Sequence, residues 1–173
     1  MSIHIVIDGY NLIRQSNTFG PLDRQDIQLG REALIDTLAA YKKIKSHRIT
    51  VVFDGASAPF FSKPRDSVKG IRVKFSCSGE TADTVIKRIA AAEREKALIV
   101  SSDHDIVHYA LSRGCATINS VEFEEKIEIA AYSDAYRDHQ EPEHGWIPTT
   151  KKKGPDRRLP KKKRRSRLKI QKL

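Results

Sequence analysis

Three short apolar runs in this sequence, residues 3–7, 49–53 and 97–100, each lead into an aspartate: Asp8, Asp54 and, after Ser101 and Ser102, Asp103. Asp105 stands just beyond, at a helix start, and Asp83 falls in the first turn of a helix entered through Glu80 and Thr81. Carboxylates gathered in one crevice repel each other, so at neutral pH they are stable only if they bind cations. Mg²⁺ or Mn²⁺ suits such a group, because hard ions take carboxylate and water oxygens. An ion held this way can activate a water and neutralise charge on a scissile phosphate, so the chemistry these residues could do is phosphodiester hydrolysis. Each acid alone also has a structural reading: Asp54 before Gly55 as a turn, Asp83 as a complement to a helix dipole, Asp103 as a cap. Recurrence at the ends of successive runs, with Asn11 three residues after Asp8, favours a shared site. Asn11 also suits a turn that bonds its own backbone. His104 and His108 fall at i, i+4, but no third nitrogen or sulfur ligand is suitably spaced, so they read as surface or core residues.

The acids can meet only if the elements carrying them line up. Near-continuous β-branched runs are what a parallel sheet covered on both faces requires. Residues 71–75 and 116–118 read as further strands. Helices are expected over residues 81–94, where Ala82, Val85, Ile86, Ile89 and Ala90 form one stripe, and over 30–45, 105–112 and 120–136. Gly114 suits the end of the third, and Ser120 caps the last. Alternating β and α elements imply an α/β sandwich around a mainly parallel sheet. In such sheets ligands bind outside the carboxyl ends of the strands, where Asp8, Asp54 and Asp103 would project.

Charge divides the chain. It carries 32 Lys plus Arg against 22 Asp plus Glu, a net of +10. Residues 151–173 alone hold 13 basic residues and one acid, leaving residues 1–150 at −2. Overall basicity therefore says nothing about the folded body, and the expected organisation is a domain over 1–138 followed by a basic, disordered tail over 139–173. Pro155 and Pro160 argue against a helix there. No apolar run is long enough for a membrane span or a signal-peptide core. Cys77 and Cys115 show no metal or disulfide spacing, and as small buried hydrophobes they fit a reducing cytoplasm.

Residues 5–13 (IVIDGYNLI), 51–55 (VVFDG), 79–83 (GETAD) and 101–103 (SSD), with Gly114 downstream, resemble in order the motifs of YacP-type NYN domains, a branch of the PIN-like nucleases. The likeness runs from about residue 3 to 136 and leaves the tail uncovered. It implies a three-layer PIN-like sandwich and a Mg²⁺- or Mn²⁺-dependent endoribonuclease acting on single-stranded or ribosome-associated RNA. Asp8, Asp83 and Asp103 carry over as metal ligands and main catalytic acids. Asn11, Glu80, Ser102 and Asp105 carry over as supporting groups that orient ligands or the attacking water, and Asp54 ranks below them. No organic cofactor is implied. A haloacid-dehalogenase reading fails because the second acid it needs, two residues after the first, is here Tyr10. A non-catalytic RNA- or ribosome-binding protein is the alternative; it would keep the acids for structure and the tail for affinity.

RNA contacts are expected from two places. The connection 55–70 offers Lys63, Arg65 and Lys69 beside Phe60 and Phe61, which could stack on bases or anchor the loop. The tail offers Lys151, Lys152, Lys153, Lys161, Lys162, Lys163, Arg164 and Arg165, whose phosphate contacts would give affinity without sequence preference.

Overall fold

The computed structural model describes residues 3–55, 67–77, 79–137 and 161–173. Strands β1 (His4–Asp8), β2 (Arg48–Phe53), β3 (Arg72–Phe75), β4 (Ala97–Val100) and β5 (Ala116–Ile118) form one sheet in the order β3-β2-β1-β4-β5. Every pairing between them is parallel. The chain builds outward from β1 to β2 and β3, then returns to the other side of β1 for β4 and β5. The β1/β4 junction is thus the point where strand order reverses, the usual ligand crevice of an open α/β sheet.

Side chains alternate between the two faces of each strand. On one face Ile5, Ile7 and Val51 pack with Leu12 of α1 (Gly9–Gln15), Phe19 of α2 (Phe19–Gln25), Leu34 and Leu38 of α3 (Ile27–Ile44), and Phe123 of α6 (Ser120–Arg137). On the other, Val6, Val52 and Ile99 pack with Ala82, Ile86 and Ala90 of α4 (Ala82–Glu93) and with Ile106 and Ala110 of α5 (His104–Ser112). The fold is a three-layer α/β sandwich. Ile86 is fully buried in the second, alanine-rich layer, and Ile86→Ala would cost about 2–5 kcal/mol.

The expected strands and all four expected helices are present, several with shifted ends. The helix expected from residue 30 starts at Ile27, because the Asp26 side chain caps it by accepting from the Gln28 N–H at 2.7 Å. Two helices of the body, α1 and α2, were not expected. Asp8-Gly9 looks like a turn, yet Asp8 is the cap of α1. Gly20-Pro21 looks like a breaker, yet it lies in the first turn of α2, where proline's missing N–H costs nothing.

The tail also departs from expectation. Residues 138–160, including Lys151, Lys152 and Lys153, lie outside the described residues, but Lys161–Gln171 form helix α7. Pro160 immediately precedes its first residue, and proline is compatible with a helix start although not with a helix interior. The helix is docked. Leu173 is buried and its carbonyl accepts from the Tyr41 hydroxyl at 3.1 Å. His47 Nε2 lies 3.3 Å from the Lys172 carbonyl, Arg165 pairs with Glu95, and Lys169 donates to the Glu95 carbonyl. Glu95, Ala97 and His47 precede or open strands β4 and β2, so α7 lies at the amino-terminal end of the sheet.

Candidate active site

The register sets the site. Ile7 pairs with Val100 across β1 and β4, which brings the next residues, Asp8 and Ser101, side by side. Ser101 is fully buried, and its hydroxyl donates to Asp8 Oδ2 at 3.2 Å while accepting from the Asp103 N–H at 3.1 Å. One buried hydroxyl therefore ties the first expected ligand to the backbone of the third. The other oxygen of Asp8 accepts from the Asn11 N–H at 3.2 Å. Asp103 Oδ1 caps α5, accepting from the N–H groups of Asp105 at 2.7 Å and Ile106 at 3.3 Å. Asp83 enters from the first turn of α4, whose cap is Thr81.

Two glycines allow the elements to approach this closely. A Cβ on Gly9 would lie 2.3 Å from the Phe53 ring, and one on Gly55 would lie 1.9 Å from the Ser76 carbonyl oxygen. Gly9 lets α1 begin directly over β2. Gly55 lets the turn after Asp54 rest against the end of β3.

The acids act on one another electrostatically. Burial pushes the Asp8 carboxyl up to about 6; its bonds from Asn11 and Ser101 oppose the rise, and Asp83 and Asp103 add to it. Asp83 is raised by burial and then by Asp103 and Asp105, against the pull of Lys87. The hydrogen bond to Asp105 raises Lys87, and attraction to Asp105, Asp83 and Asp103 adds to this. Among the described residues, however, no three His, Cys, Asp or Glu side chains stand close enough to hold a metal ion. The acids are near enough to oppose each other's ionisation, but not drawn together around one point.

The supporting residues divide. Asn11 is a junction: its Oδ1 accepts from Gln15 Nε2 at 3.1 Å, Ser102 N at 3.0 Å and Ser120 Oγ at 2.7 Å, linking α1 to the β4–α5 turn and the start of α6. The Ser102 hydroxyl donates to Gln15 at 2.8 Å and accepts from Ser120 N at 3.2 Å, so it stitches the rim and does not face the acids. Glu80 pairs with Arg88, and Asp105 pairs with Lys87. Asp54 is half-buried beside Ser76, whose hydroxyl is 3.5 Å away.

Of the expected RNA-contacting cations, Lys63 and Arg65 lie outside the described residues, as do Phe60 and Phe61. Lys69 sits before β3, at the amino-terminal end of the sheet, and pairs with Asp36 of α3; it is not brought to the acids. Lys161 and Lys162 open α7, where Lys163 and Arg164 are exposed and Arg165 is paired. Ser101, Ser120, Gln15 and Lys87 were missed. Ser101 had a signal, since it follows the β4 run directly; Lys87 had one too, four residues after Asp83 and thus on the same helix face.

Residues 5–170 match the sequence pattern of the YacP-like NYN domain. The chain belongs to that family. The match reaches into the tail, beyond residue 136 where the motif resemblance stops, in keeping with the docking of α7. "Uncharacterized protein YacP" of Bacillus subtilis (strain 168) is 30% identical over 88 residues, which span 51% of each chain. The matched segment thus covers about half the length of that relative. The crystal structure of Rae1 (YacP) from B. subtilis superposes with a TM-score of 0.68 at 25% identity, covering 80% of both chains. A point mutant of Rae1 gives 0.66 at 23% identity, covering 78% of this chain and 80% of that one. The NYN domain has a PIN-like nuclease fold, and Asp8 and Asp103 follow the two strands at which strand order reverses in this chain.

Proposed function

We propose that this NYN domain is a metal-dependent endoribonuclease that cleaves single-stranded or ribosome-associated RNA, with Asp8, Asp83 and Asp103 as its metal-binding acids. The observation carrying this reading is Asp8: a buried carboxylate at the β1/β4 junction, held by Ser101 and raised to about 6 with Asp83 and Asp103 contributing. Burying a carboxylate beside two others is unfavourable unless a cation compensates. The donor set, all carboxylate oxygen, fits Mg²⁺ or Mn²⁺ better than softer ions. A bound ion would supply Lewis-acid neutralisation of the scissile phosphate and a more acidic water.

The chain's own residues do the positioning. Ser101 fixes Asp8 and the Asp103 backbone together, so the two cannot drift independently. Asn11 ties α1, the β4–α5 turn and α6 into one rim around the crevice. Thr81 caps α4 and sets where Asp83 enters. Exposed cations on α7, and those of the tail before it, attract RNA through its phosphates.

The deciding experiment incubates full-length protein with single-stranded RNA, with single-stranded DNA and with ribosomes, in Mn²⁺ or in chelator, alongside Asp8→Asn. Cleavage of RNA is expected only with metal and only with Asp8 intact. RNA binding that persists in Asp8→Asn, without cleavage by the wild type under any condition, would favour the binding-protein alternative.

A further inference from the structure

We infer that Lys87 is a substrate-phosphate contact at the mouth of the acidic crevice, an inference that rests on the nuclease reading above. Lys87 lies one turn after Asp83 on the same face of α4. A lysine in that position ordinarily serves its own helix by pairing four residues back. Here the ammonium instead crosses to α5 and pairs with Asp105, two residues beyond Asp103. It is thereby set among the carboxylates of two elements. Asp83 and Asp103 add their attraction to that of Asp105, which supports the placement.

The pairing is easily exchanged. The Asp105 side chain is 76% exposed, and ion pairs with so exposed a partner contribute little because water screens them. Three-quarters of the Lys87 side chain is covered, so its stem is anchored where the ammonium meets Asp105. Moving the ammonium from Asp105 to an incoming phosphate therefore exchanges one screened, charge-assisted contact for another at little cost. The crevice needs such a group. A phosphodiester approaching Asp8, Asp83, Asp103 and Asp105 meets like charge, and divalent ions offset it only when bound. A tethered cation is present in every state of the site and gives the phosphate an attractive entry point.

Lys87→Met keeps the stem and removes the charge; Lys87→Arg restores charge and donors. The probe is a fluorescent tetranucleotide RNA in Ca²⁺, whose few phosphates give α7 little to hold. Dissociation constants are measured beside Mn²⁺-dependent cleavage, Mn²⁺ affinity and melting temperature. Lys87→Met is expected to weaken tetranucleotide binding and cleavage kcat/KM each by about tenfold, the scale of one charge-assisted contact. Lys87→Arg should recover most of both. Mn²⁺ affinity should hold or tighten, since a competing cation has gone.

Tetranucleotide affinity within twofold of wild type in Lys87→Met overturns the inference, whatever happens to the melting temperature. So does a loss that Arg does not restore. If the wild type cleaves nothing in Mn²⁺ yet Lys87→Met still loses tetranucleotide affinity, the nuclease reading fails and the phosphate contact stands.

Discussion

The two ends of the sheet use charge in opposite ways. At the carboxyl end, Asp8 is buried beside the half-buried Asp83 and Asp103 and is held by neutral donors, Ser101 and the Asn11 N–H, so the repulsion acting on it is left in place. At the amino end, charges are matched. The His4 imidazole bridges Thr50 at 2.8 Å and Arg48 at 2.7 Å; Arg48 pairs with Glu93, and Arg165 with Glu95. A cavity of about 760 Å³ lies between those residues and α7. Asp8 thus keeps an electrostatic debt that folding alone does not settle, as expected of a site completed by a ligand. Around the starts of β1, β2 and β4 the amino end is settled by these pairs, as expected of a scaffold.

Removing one charge from the carboxyl end should break that contrast most visibly. Asp8→Asn is expected to reduce RNA cleavage in Mn²⁺ by about a thousandfold or more, as loss of a principal charged group in a metal site does. Filter binding to long RNA at low salt should change by less than about twofold, because phosphate contacts dominate it. Equal losses of both would place RNA affinity in the crevice and remove the division between the two ends.

The same substitution should stabilise the metal-free protein. The folded pKa of Asp8 is about 6 against an ordinary 3.8, so the native state holds that proton more tightly than the unfolded chain. The wild type therefore loses stability as pH rises from about 4 to 6 and bears the full cost above 6. At pH 8 in chelator, Asp8→Asn should be more stable by up to about 3 kcal/mol, each unit being worth about 1.4 kcal/mol. The gain should vanish below about pH 4, and Mn²⁺ should raise the melting temperature of the wild type only. Chemical denaturation across that range measures it; a mutant that is less stable at pH 8 would mean that Asp8 is paired, contrary to the contrast drawn here.

The residues explain which of this the sequence revealed. The placement of Asp8, Asp83 and Asp103 at strand ends and a helix start was legible because the parallel fold fixes where those ends meet, and the apolar runs mark them plainly. Asn11 was legible as a position but not as a junction, since Ser102 and Ser120 lie more than 90 residues away in the chain. Helix α1 was hidden because an aspartate that caps and an aspartate that turns look alike before Gly9. Helix α7 was hidden for a different reason: with 7 of its 11 residues Lys or Arg, it has almost no apolar stripe of its own. It is held by a few residues at its end, chiefly Ile170 and Leu173, against a core built elsewhere. Periodicity cannot report a helix whose stability comes from docking.

That docking sharpens what the amino end is for. Lys163, Arg164 and Arg167 are exposed on α7. Replacing all three with Gln should weaken long-RNA binding and flatten its log–log salt dependence by about 2, at about 0.7 per single-strand phosphate. Cleavage at saturating RNA should stay near the wild-type rate, since none of the three lies at the carboxyl end. A fall in that saturated rate would mean that α7 presents RNA to the acids and does not merely hold it.

The smallest effect tests whether α7 is held as a matched scaffold element. Tyr41→Phe deletes only the hydroxyl that donates to the Leu173 carbonyl, and an isolated bond of this kind is worth about 1 kcal/mol. The ring stays packed edge-on to Phe123, 6.2 Å away between centroids, so the core beneath should not loosen. Hydrogen exchange should then quicken several-fold in the amides of α7 while those of β1 and β4 keep their wild-type protection, because local opening of a docked helix is separate from global unfolding. If protection fell equally in both, α7 would belong to the cooperative core, and its cations would be fixed in place as firmly as the acids at the other end of the sheet.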